Sequence, residues 1–70
     1  MSREQRVEAH FFILGRAWEF AYRNMYQCPR VGDLVVFYDT RYTVLRVEWC
    51  MDEGASSLGG QRVNIELEGV

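Results

Sequence analysis

Side chains able to do chemistry are few in this chain. One histidine, His10, and two cysteines, Cys28 and Cys50, stand isolated among 70 residues. A zinc site needs four ligands at short paired spacings, and neither Cys-x-x-Cys nor His-x-x-x-His occurs, so no metal is expected. A Cys–His nucleophile pair would have to join His10 to Cys28 or Cys50, and no local sequence prepares either thiol for that work. The two cysteines read as small apolar fillers and not as a disulfide, because no secretory pattern precedes them. Ser56 and Ser57 have no general base near them in sequence, and Asp39, Asp52 and Glu53 have the character of solvated loop acids. Gly54 and Gly59-Gly60 lack the Gly-Lys-Ser/Thr that makes a phosphate loop. No catalytic constellation and no cofactor site emerge, so the chain is not expected to be an enzyme.

What remains is recognition. All eight basic residues are Arg, each a planar fork able to stack or to bind carboxylates bidentately. Arg41 beside Tyr42, Arg23 between Tyr22 and Tyr26, and Arg30 place guanidinium groups near aromatics, which is the equipment of a small nucleic-acid-binding barrel. Ten acidic residues and a net charge of −2 oppose that reading, since nucleic-acid binders ordinarily carry a basic excess. A protein-binding module, acting as an accessory or inhibitor by occupying a partner surface, is the expectation, with the nucleic-acid barrel as the alternative. The expected partner-binding residues are Tyr38, Arg41 and Tyr42 at one chain reversal, and Asp52, Glu53 and Leu58 in a long loop; Tyr and Arg are the types that most often anchor interfaces. Small, Arg-rich, acidic single-domain chains of this kind are common among phage-encoded proteins.

The elements that must position these residues are clearest over 29–49. Pro29 forces Cys28 toward an extended conformation, and Val31-Gly32-Asp33 supplies a turn. Leu34 to Tyr38 is an unbroken apolar run suited to a strand buried on both faces. Asp39-Thr40 is the expected reversal. Tyr42 to Trp49 then alternates, with Thr43, Leu45, Val47 and Trp49 on one face and Val44, Arg46 and Glu48 on the other. Met51 to Gln61 reads as a loop, and 62–68 as a third strand with Val63, Ile65 and Leu67 pointing in. Glu66 and Glu68 point out, where Arg46 can pair across to them.

Residues 3–26 admit two readings. Val7, Phe11, Leu14, Trp18, Tyr22 and Met25 recur at helical spacing behind a Ser2…Gln5 capping box, which predicts one long helix. On that helix Ala9, Ile13 and Phe20 form a second apolar stripe, a candidate homodimer face. Alternatively, Gly15-Arg16 is a type II′ hairpin turn between two strands, with Trp18, Phe20 and Tyr22 alternating along the second. The expected fold is a single α+β domain over 1–70, an N-terminal helix packed on a small bent antiparallel sheet of three or more strands. The alternative is a five-stranded barrel.

Val-Gly-Asp-Leu-Val-Val, a short reversal, and then Tyr-Thr-Val-Leu-Arg-Val-Glu resembles the opening hairpin of SH3-like small β-barrels of the KOW and Tudor kind. The likeness covers about a third of the chain and implies the barrel fold; members of that fold bind peptides, RNA, DNA or other proteins, so it sets no ligand. No run of about 18 apolar residues and no signal-peptide pattern occurs, so a cytoplasmic protein is expected.

Overall fold

The computed structural model describes residues 6–52 and 61–70. Five strands follow in chain order: β1 (Val7–Ile13), β2 (Glu19–Met25), β3 (Leu34–Phe37), β4 (Thr40–Cys50) and β5 (Gln61–Gly69). They form one sheet in the order β2-β1-β5-β4-β3. No helix occurs among the described residues, which overturns the expected N-terminal helix packed on a sheet. The apolar residues of β1 satisfy a period of two as well as 3.6. As a strand, Val7, Ala9 and Phe11 all point inward and are buried, with Ala9 opposite Val63 and Phe11 opposite Ile65. As a helix, the same residues would have left Ala9 on a stripe with nothing to cover it. β1 and β2 are instead a hairpin, paired antiparallel from Val7 opposite Met25 to Phe11 opposite Ala21.

The reversal between them also differs from a Gly15-Arg16 turn. Arg16 N donates to Ile13 O at 2.9 Å, so Leu14 and Gly15 are the central pair. Gly15 takes φ +86, a left-handed value at the second central position.

The sheet is mixed and not antiparallel throughout, because β1 runs parallel to β5 from Val7 opposite Gln61 to Ile13 opposite Leu67. β5 is therefore central, flanked by β1 and β4, and its Val63, Ile65 and Leu67 are fully buried. Around them pack Val7, Ala9, Phe11, Ala21, Phe37 and Val44.

β4 departs from simple alternation. Val44 faces Leu67, Arg46 faces Glu66, and Leu45 is the extra residue of a bulge. The bulge brings Val44, expected on the face opposite Thr43, Leu45, Val47 and Trp49, to the same side as Val47 and Trp49, which pair with Ile65 and Val63; Val44 is buried, and Trp49 at the strand end stays exposed. β3 was expected to be buried on both faces. It is an edge strand, and only its Val35 and Phe37 face the core while Leu34 and Val36 are exposed.

The sheet curls until β2 and β3 approach, yet the two are not hydrogen-bonded to each other. The result is a half-barrel compatible with an SH3-like barrel. Residues 26–33 link its two edges through a turn in which Gly32, at φ +93, donates its N–H to Val44 O at 2.8 Å. Asp33 supports that turn by accepting the Arg30 N–H at 2.8 Å. No helix among the described residues is long and apolar enough to cross a membrane.

Candidate functional site

Side chains, and no backbone bond, join the two edges of the half-barrel. On β2 the register slips between Phe11 and Phe12, leaving Phe20 as the bulged residue. The bulge turns Phe20 to the inner side, where its ring meets Phe37 edge-on at 5.4 Å between centroids and Tyr42 at 5.5 Å. Phe37 also meets the core ring of Phe11 at 4.9 Å. Arg23 sits opposite Ala9 and so on the inner side; its guanidinium carbon lies 5.1 Å from the centroid of Phe37. The same guanidinium donates to the carbonyl of Tyr22 at 2.7 Å.

The rim of this aromatic cluster is the β3–β4 turn. Phe37 pairs with Thr40, so the turn residues are Tyr38 and Asp39 and not Asp39-Thr40. Both take left-handed φ values, 52 and 65, as a type I′ hairpin turn requires. Asn and Gly are the residues ordinarily found there, and a tyrosine at positive φ is strained. The turn holds Tyr38 76% exposed, with its ring 6.2 Å from that of Phe20 between centroids. The strained turn thus coincides with an exposed aromatic residue.

Of the residues expected at a binding site, Tyr38 and Tyr42 converge on Phe20. Arg41 does not join them, because it precedes Tyr42 on β4 and projects from the other face, opposite Val36. Asp52 is exposed just beyond β4. Glu53 and Leu58 lie outside the described residues. The proposed dimer stripe does not exist as a surface: Ala9 is completely buried, and Ile13 and Phe20 pack partly against the core. Phe20, Phe37 and Arg23 were not singled out together. The alternation of Trp18, Phe20 and Tyr22 was a signal for them only if the segment was a strand.

A second assembly lies on the outer face. His10 Nε2 is 2.8 Å from the Glu8 carboxylate, and Nδ1 bonds the carboxylate of Glu19 on β2. Glu8 is only 3% exposed. The Tyr22 ring covers the imidazole at 5.0 Å between centroids. With both nitrogens engaged by carboxylates, His10 ties β1 to β2. Among the described residues no group of three or more His, Cys, Asp and Glu could hold a metal ion.

The arginines are dispersed. Arg6 stacks on Tyr26 at 5.5 Å, Arg46 approaches Glu66 at 3.9 Å, and Arg62 donates to Asn64 at 3.3 Å. Cys28 and Cys50 are both free thiols. Cys28 lines an apolar groove of about 320 Å³ with Pro29, Arg30, Val31, Val47 and Trp49, and burial pushes its thiol pKa up. Cys50 accepts a weak hydrogen bond from Asn64 at 3.5 Å on the other side of the sheet.

The chain matches no family model, no curated protein and no solved structure.

Proposed function

We propose that this chain is a small non-enzymatic protein-binding module that acts as an accessory or inhibitor by occupying a partner surface. The observation that carries the reading is the turn at left-handed φ that keeps Tyr38 exposed beside the rings of Phe20 and Phe37. An exposed aromatic on a rigid aromatic base, with Arg23 at its margin, has the composition of an interface anchor. The finer likeness to KOW and Tudor barrels belongs to this proposal and rests on the β3–β4 hairpin. The dispersal of the arginines, several of them held by aromatic or acidic neighbours, favours a protein over a nucleic acid.

The test is affinity capture with tagged protein from its native lysate, with and without nuclease, read by mass spectrometry. One dominant protein that survives nuclease is expected. Its affinity should fall at least about tenfold with Tyr38→Asn, the scale of an interface anchor. Recovery that vanishes with nuclease would replace this reading with the nucleic-acid one.

A further inference from the structure

The half-barrel has two edges and, among the described residues, protects only one of them. β2 carries a bulge at Phe20, an inward-turned charge at Arg23 and a second charge at Glu19, all devices that keep an edge from pairing. β3 has no charge, no proline and no register slip against β4. Val44 N donates to Asp33 O at 2.9 Å, so Asp33 directs its backbone toward β4. By the period of two, Val35 and Phe37 do the same. The N–H and C=O groups of Leu34 and Val36 therefore point away from β4, where no described strand receives them. Their side chains, 63% and 62% exposed, stand on the outer face, and Val31 is exposed close by in the chain.

We propose that the β3 edge pairs antiparallel with the β3 edge of a second copy, about a two-fold axis through Val35. Continuity of the inner and outer faces requires the axis to pass through a residue, since directly opposite residues share a face. An axis at Val36 would set Leu34 against the partner's Tyr38, whose φ of 52 has already left the strand. An axis at Val35 sets Leu34 against the partner's Val36, two positions whose free backbone groups point outward, so each such pair exchanges hydrogen bonds in both directions. The same register packs Leu34 and Val36 of both copies on the outer face. Self-complementarity selects a copy as the occupant: in this register each edge offers the other both hydrogen-bond directions and the same apolar pair, and the strand itself carries no charge to repel a chain of net charge −2. The arrangement is isologous and consumes both β3 edges. It closes as a dimer and does not propagate, because β2 is guarded.

Sedimentation equilibrium on the full chain from about 1 µM to about 1 mM reads this directly; a short edge predicts weak affinity within that range. The expected result is a rise from monomer to dimer mass, with slowed amide exchange at Leu34 and Val36 as concentration rises. Val36→Pro deletes an N–H that β4 does not use and follows a residue already extended, so it should stay folded and monomeric. Val36→Lys places like charges together and should do the same, and it decides the matter if the proline variant fails to fold. A monomer mass throughout, or a dimer that survives the folded variants, overturns the proposal. A monomer that still captures its partner through Tyr38 would overturn the dimer and leave the binding reading standing.

Discussion

Asp39→Gly is expected to stabilise the protein, and the gain follows from the turn geometry. Asp39 takes φ 65 in a two-residue turn, and its side chain makes no hydrogen bond or ion pair among the described residues. Left-handed backbone costs an L-residue about 1–2 kcal/mol, and glycine removes that steric term. Glycine also gives the unfolded chain more freedom, which offsets about 0.5–1 kcal/mol. The net lies between about 0 and 1.5 kcal/mol, a gain of about 0.75 kcal/mol at the midpoints. For a domain of this size each kcal/mol moves Tm by about 4–8 °C, so the midpoint gain should raise Tm by about 3–6 °C. Asp39→Ala is the control: it keeps the Cβ, loses the short polar side chain that tolerates the left-handed region, and should be no more stable than the parent. Thermal and urea unfolding by circular dichroism measure both. If the glycine variant were no more stable than the alanine variant, the turn would not be strained, and the coincidence of strain with an exposed Tyr38 would fall away. The companion change, Tyr38→Asn, puts a residue that accepts positive φ at a largely exposed position. Its stability should stay within about 0.5 kcal/mol of the parent, so lost partner binding would report the ring and not the fold.

Two further outcomes follow from the outer face and the groove. His10→Ala strips the nearly buried Glu8 of one partner and should cost about 1–3 kcal/mol in urea unfolding, whereas Glu19→Gln at the solvent side should cost under about 1 kcal/mol; equal small effects would mean that the cluster does not pin β1 to β2. Cys28 holds its proton to higher pH when folded than when unfolded, because burial disfavours the thiolate. With its thiol pKa raised in the folded state, its contribution to stability is fully present below the ordinary thiol range and is lost as pH rises from there through the raised folded-state value. In a Cys50→Ser background, alkylation at about pH 8.5 should therefore be slower in the native protein than in urea, and equal rates would contradict the burial.

The β5 pattern was legible from sequence, because Val63, Ile65 and Leu67 alternate strictly with polar neighbours and one residue type decides each position. The β3–β4 hairpin was legible in kind but not in detail. Its turn lies one residue earlier than Asp39-Thr40, because no Asn-Gly marks it and a tyrosine does not advertise a left-handed backbone. The bulge at Leu45 has no local signature either; it exists to keep Val44 and Val47 both inward against Leu67 and Ile65.

The sequence by itself determined a single small apolar-rich chain, without ligand-spacing motifs, that must bury alternating residues near its C-terminus. The tertiary structure decided everything that depends on a distant partner. Val7 to Met25 carries a pattern that fits both periods; its first half takes the strand form in parallel pairing with β5, more than fifty residues away in the chain, and its second half in pairing with the first. Likewise Tyr38, Tyr42, Phe20 and Arg23 form one rim only because the sheet curls and brings its two edge strands together. Local propensity acts over a few residues, whereas sheet curvature is fixed by pairing across the whole chain.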